Sequence, residues 1–331
     1  MCDTLDVIGD SSRGPNTPQI GSSPNSRLEL TVTHSPIAAQ LWRSPLVRAG
    51  IVLLLVGEAL IIARLRPYSD FYFPFVWLGL ILLLDGATQL QTGRSLILHA
   101  RAAFLAMFPV SVAFWWLFEL LNLAVHNWIY VGAERYSGIG YVAFASLDFS
   151  TVLPAVWVSA LAVRALLPQL SARKMATATV PRGVLVGMVI IGVLSILLAV
   201  TYPTYAFGAV WLCMFFLLDP MNHALGRPSM VGAIWRREWR LPMSFALGTL
   251  FCGFFWEGWN FWSMPKWTYA IPYVYHWKIF EMPLLGWSGY LPFGLELFAM
   301  TSFVFPLLRL PVPSLAAVAS VRRRQRDRMV S

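Results

Sequence analysis

The chain has 331 residues, 57% of them hydrophobic and only 12% charged, with a net charge of +9. Soluble domains carry about 25% charged residues, so a composition this apolar, with a mean hydropathy of +0.62, fits lipid as the solvent. The basic residues lie between apolar segments and in the tail, where membrane topology is written, so nucleic acid is not an expected partner.

Residues 1–40 are rich in Ser, Pro, Gly and Asn and lack periodicity, which reads as a disordered cytoplasmic tail and not as a signal peptide. Eight apolar segments follow, near 46–63, 72–91, 102–124, 141–163, 183–200, 205–222, 241–262 and 287–308. Each is long enough to cross most or all of a hydrocarbon core of about 30 Å. Residues 183–218 contain no charge, and the interruption TYPTY at 201–205 divides that run into a helical hairpin. With eight spans both termini share one side. That side holds eighteen Lys and Arg, and the other holds Arg64, Arg66, Arg135, Lys266 and Lys278. The bias predicts cytoplasmic termini in a cell inner membrane.

The segments repeat. WLGLILLLD (77–85) aligns with WLCMFFLLD (211–219); Gly93-Arg94 with Gly226-Arg227; Glu119-x-x-Asn122 with Glu257-x-x-Asn260; Trp128-x-Tyr130 with Trp267-x-Tyr269; Leu153-Pro154 with Leu291-Pro292. The expected fold is therefore an all-α integral membrane protein with eight transmembrane helices. They form two parallel four-helix repeats, 41–175 and 176–310, followed by a basic tail at 311–331.

Glu and Asn at i and i+3 share a helix face. An ionised Glu within a span is costly, so Glu119 and Glu257 are expected to be protonated, paired or facing a wet cavity. Two readings follow: a proton-donating acid held by its Asn neighbour, or interhelical hydrogen-bond glue. Glu58 and Glu296 have no acidic counterpart in the other repeat; they mark either a specialised half or a packing contact. The four acids are expected to gather in the outer half of the membrane. Asp85 and Asp219 are each followed by Gly-Arg, which suggests ion pairs with Arg94 and Arg227 or, alternatively, a phosphate site. Trp256 and Trp259 sit beside Glu257 and are expected either to line a cavity or to pack in the core, whereas Trp267 and its tyrosine neighbours suit an interfacial belt. The five histidines are scattered and no CxxC, nucleotide-binding loop or phosphate-cradling glycine motif occurs, so no metal or cofactor is expected. GWSG at 286–289 would need a later histidine to act as an intramembrane nucleophile, and none follows His276.

Trp267-Thr-Tyr269, then an aromatic stretch, then Phe280-Glu-Met-Pro283-Leu-Leu-Gly resembles the W-x-Y and F-x-x-P-x-E-E elements of the membrane-embedded lycopene cyclases of carotenoid synthesis. The resemblance covers residues 267–300. It departs at the paired glutamates, where Leu285 and Gly286 stand. It implies a lipid or polyprenoid substrate, with the acid role moved to Glu281, Glu257 or Glu296.

The leading expectation is an enzyme acting on an isoprenoid or other lipid by acid–base chemistry on a double bond. Glu257 would be the acid, Asn260 its partner, and Glu119 with Asn122 the counterpart pair. Glu281 and Glu296 are the candidates for an asymmetric site, and Trp256, Trp259, Trp267 and Tyr269 form its wall. A proton-coupled transporter or lipid flippase, and a non-catalytic scaffold, are the alternatives. The expected partners are the bilayer and a hydrophobic small molecule.

Overall fold

The computed structural model describes residues 41–167, 179–273 and 275–313. Both expected tails lie almost wholly outside them. The described chain is mostly helical. In order it forms α1 (Pro45–Ala63), α2 (Tyr72–Thr92), the short α3 (Leu96–His99), α4 (Arg101–Val125), β1 (Trp128–Val131), α5 (Gly138–Phe149) and α6 (Val152–Leu166). Then come α7 (Arg182–Thr201), α8 (Cys213–Ala224), α9 (Met230–Trp235), α10 (Arg240–Trp262), β2 (Lys266–Tyr269), β3 (Lys278–Ile279), β4 (Met282–Pro283) and α11 (Tyr290–Leu307).

Local chemistry sets several boundaries. The Ser44 hydroxyl accepts from the Val47 amide at 3.5 Å, with Pro45 in the first turn of α1. Gly93 ends α2 at φ 70°, the left-handed conformation that glycine adopts without steric cost. The Pro203–Ala206 turn separates α7 from α8, as TYPTY predicts.

Among the described residues, seven helical segments are long and apolar enough to cross a membrane: Pro45–Ala63, Tyr68–Thr92, Arg101–Val125, Gly138–Leu166, Arg182–Thr201, Pro203–Ala224 and Leu284–Leu307. These match seven of the eight expected segments. The remaining one, 241–262, is α10; its 23 residues form one helix but do not reach that apolarity. Ser244, Thr249, Glu257 and Asn260 dilute its hydropathy, and all four are fully buried. The helix lies against α6 and α11 in the centre of the bundle, so its polar groups meet protein.

Helix pairs close on small residues. In α1 and α2, a Cβ added at Gly50 would lie 2.7 Å from the Gly79 carbonyl oxygen, and one at Gly79 would lie 2.7 Å from the Leu54 amide. Backbone meets backbone there, the close approach that glycine allows between membrane helices. In the second half, Gly192 of α7 sits against Leu217 of α8 in the same way. The bundle centre is aromatic. Trp157 of α6 is fully buried, 4.9 Å from Phe245 and 5.8 Å from Phe298 between ring centroids.

The all-α expectation needs one correction. Two small antiparallel pairs are present, β1·β2 and β3·β4. In the first, Trp128 stands opposite Tyr269 and Tyr130 opposite Trp267. Trp267 and Tyr269, expected in an interfacial belt, thus belong to a hydrogen-bonded strand. The reason lies in Asn122 and Asn260, described below.

The glycine contact gives a stability test. Gly79→Ala should destabilise the purified protein by about 1–3 kcal/mol through overpacking. Gly187→Ala, where an added Cβ meets nothing within 4 Å, should not. Thermal unfolding in detergent micelles separates the two outcomes.

Candidate functional site

The site forms where α4 and α10 end and the chain turns into β1 and β2. A helix leaves its last carbonyls without intrahelical partners, and the next segment has amides to satisfy in an apolar setting. Asn122 and Asn260 meet the second need. The Asn122 amide group donates to the Trp128 carbonyl at 2.9 Å, and its Oδ1 accepts from the Asn127 amide at 2.9 Å and the Trp128 amide at 3.3 Å. Asn260 donates to the Trp267 carbonyl and accepts from the Trp267 amide, both at 2.8 Å. Each asparagine thus clamps the first tryptophan of a W-x-Y strand to its own helix. Both amide functions of Asn260 are occupied by main chain, so it does not hold Glu257 directly as expected. It acts on Glu257 through the strand it fixes.

The strands deliver the partners of the two carboxylates. Glu119 Oε1 accepts from Tyr130 Oη at 2.6 Å, Trp128 Nε1 at 3.0 Å and Trp115 Nε1 at 3.1 Å. Glu257 Oε1 accepts from Tyr269 Oη and Tyr290 Oη, both at 2.6 Å. Trp267 Nε1 donates to Tyr269 Oη at 2.9 Å. Tyr290 comes from α11 and supplies the bond that breaks the likeness between the two constructions. Glu257 is fully buried, and its Oε2 has no hydrogen-bond partner among the described residues. Burial, and then the negative charge of Glu257, push the Tyr269 hydroxyl well above the usual phenol range. Burial and Glu119 do the same to Tyr130. Both tyrosines remain protonated donors at neutral pH.

A cavity of about 380 Å³ lies in front of these groups. Its wall includes Trp115, Trp128, Trp211, Trp256 and Trp267, together with Tyr130, Tyr269 and Tyr290. Neither Glu119 nor Glu257 belongs to the lining; each sits behind its tyrosines. Trp115 and Trp256, from α4 and α10, meet at 5.2 Å between ring centroids and join the two sides of the wall.

The four span glutamates are held by different partners. Glu58 accepts from Trp259 Nε1 at 2.7 Å. Trp259 also packs on Trp77 at 5.2 Å and does not line the cavity. Glu296 is fully buried and accepts from the Met214 amide at 2.8 Å; it caps the first turn of α8, where a carboxylate meets the positive helix end. Glu281 pairs with Lys266 at 2.5 Å, outside the lining.

Asp85 and Asp219 also have capping positions. Asp219 accepts from the amides of Met230 at 2.8 Å and Val231 at 2.7 Å, which open α9. Asp85 accepts from the Ser95 hydroxyl and from the Leu96 amide at 2.7 Å, which open α3. The expected pairing of Asp219 with Arg227 is not what holds either side chain. The Arg227 guanidinium donates to the Phe303 carbonyl at 2.9 Å and lies over that ring.

Polar residues of the cavity wall not singled out from the sequence alone include Asp70, Asp148 and Tyr290. Asp148 had a legible signal, an acid inside an apolar segment. Asp70 and Tyr290 had none, since only the fold carries them to the cavity.

Comparison with protein-family models, with characterised proteins and with solved structures gave no match.

The clamp gives a direct test. Asn260→Ala removes both bonds to Trp267 and leaves a buried amide and carbonyl unpaired, at a cost of about 1–3 kcal/mol for each orphaned group. Amide hydrogen exchange over 266–269 should accelerate at least tenfold, the equivalent of about 1.4 kcal/mol. Asn260→Asp, which keeps the acceptor oxygen, should fall between the two.

Proposed function

We propose that this chain binds an isoprenoid or other lipid in the aromatic cavity and acts on it by proton transfer to or from a double bond. The observation carrying this reading is the position of Tyr269. Its ring belongs to the cavity wall, while its hydroxyl is bonded to Glu257 behind the wall at 2.6 Å. Such a pair moves a proton without placing a carboxylate against the ligand. With Glu257 ionised, the Tyr269 oxygen accepts a proton from the ligand as its own hydroxyl proton passes to the carboxylate. With Glu257 protonated, the sequence runs in reverse and a double bond gains the proton. The raised position of the Tyr269 hydroxyl disfavours a standing phenolate and so favours coupling the two transfers. The indole of Trp267, bonded to the same oxygen, steadies charge that develops there. The apolar wall matches a hydrocarbon ligand, and its π-faces suit a cationic intermediate.

The same proposal extends to architecture. We read the molecule as eight spans in two four-helix halves of like orientation, with both termini cytoplasmic. The matched clamps at Asn122 and Asn260 and the matched caps at Asp85 and Asp219 support the two halves. The Lys and Arg asymmetry supports the orientation, which puts the cavity in the outer half of the membrane.

Two experiments test these readings. Lipid extracts of a deletion strain should lack a product that the wild-type gene restores, and Glu257→Gln or Tyr269→Phe should restore at most about 1% of it, since a positioned acid or base contributes 10²–10⁴-fold. Full restoration by a normally expressed Glu257→Gln protein rejects the proton-transfer reading, and an intact lipid on the wrong membrane face indicates carriage. Separately, Lys278→Cys in a cysteine-free background should react with a membrane-impermeant maleimide only from outside. Labelling only from the cytoplasm overturns the topology.

A further inference from the structure

The charged groups of the cavity wall do not balance. Asp70, Asp148 and Lys266 are the charged residues in the lining. Asp70 is neutralised by Arg135 at 2.9 Å and accepts from Tyr136 Oη at 2.8 Å. Lys266 is neutralised by Glu281 at 2.5 Å. Asp148 has no counterpart: its Oδ1 is buried and without a hydrogen-bond partner among the described residues. Its main-chain carbonyl, by contrast, accepts from the Thr151 amide at 3.2 Å and hydroxyl at 2.8 Å. The backbone there is satisfied while the carboxylate is left to whatever fills the cavity.

Aromatic residues share the cavity lining with this carboxylate. Tyr141, Phe144 and Asp148 lie at i, i+3 and i+7 on one face of α5, and all three line the cavity, as does Phe149. Phe144 stacks on Tyr136 at 5.1 Å, and Phe149 lies 5.6 Å from Trp115. A buried carboxylate oxygen without a partner is costly, and aromatic faces attract ammonium groups. The two features are complementary to the same ligand chemistry.

We propose that Asp148, with Tyr136, Tyr141, Phe144 and Phe149, forms a subsite for the ammonium head of an amphiphile whose hydrocarbon part occupies the tryptophan-lined remainder of the cavity. This rests on the reading that the cavity holds an apolar ligand, and it adds the class of head group. The ligand's positive charge does for Asp148 what Arg135 does for Asp70 and Glu281 does, with opposite sign, for Lys266.

The test uses the full chain in nanodiscs and the change in tryptophan fluorescence on titration with geranylamine, cationic at neutral pH, and with geraniol, its neutral analogue. Wild-type protein should bind geranylamine about tenfold more tightly than geraniol, a difference of about 1.4 kcal/mol, and Asp148→Asn should abolish that preference. Gly208→Trp fills the cavity from a lining position where an added Cβ meets open space, and it should abolish saturable binding of both. Saturable binding of geraniol with no preference for the amine overturns the ammonium subsite alone, as does a preference that survives Asp148→Asn. Saturable binding of neither ligand overturns the apolar cavity reading beneath it. Should Asp148→Asn fail to fold, the wild-type ratio of the two affinities still decides.

Discussion

A carboxylate held away from water must find its hydrogen bonds inside the protein. The region around the cavity depends on that requirement. Glu119 and Glu257 sit in helices, and the W-x-Y strands supply donors to both, joined by Trp115 of α4 and Tyr290 of α11. Those strands need their own amides and carbonyls satisfied, and they obtain this from Asn122 and Asn260 one helical turn beyond each glutamate and from each other through β1·β2. Glutamate, asparagine, tryptophan and tyrosine are therefore links of one chain of hydrogen bonds. An unsatisfied link is expensive because the surroundings have a low dielectric constant.

The cavity follows from this arrangement. Two strands of aromatic residues, held off the helix ends by their clamps, cannot collapse onto the carboxylates they serve. Their outer faces become a wall of π-surface with polar groups directly behind it. Tyr290 makes the second half different by adding a second hydroxyl to Glu257, while Glu119 relies on two indoles and one hydroxyl. The two carboxylates therefore have like partners and different surroundings.

Much of the helical plan was legible in the sequence. Uninterrupted apolar runs, glycine at the end of α2 and the proline turn after α7 mark their own boundaries through local chemistry. The Glu-x-x-Asn pairs were legible as important, yet their partners were not. Asn260 was expected to reach Glu257 because i and i+3 lie on one face. That geometry was right, but the nearest unsatisfied main chain, at Trp267, claimed both ends of the amide first. The strands were missed for a related reason. Four residues of WIYV or KWTY carry no period long enough to mark a strand, and their pairing joins residues as far apart in the chain as Trp128 and Tyr269. Glu296 reads as a site residue by its isolation in sequence and proves to cap α8, since an asymmetric acid and a helix cap look alike until the helix end is placed beside it. Asp70 and Tyr290 had no sequence signature, because their roles come from which loops the fold brings together.

The β1·β2 pair also orders events during synthesis. When α4 has emerged, Asn122 is already able to clamp Trp128, but the outward edge of β1 faces a partner that the ribosome has not yet made. That edge has no partner strand until Lys266–Tyr269 has been made. Unpaired strand edges near a membrane are sites of wrong association. Closing the pair is thus the step that commits the two halves of the chain to one another.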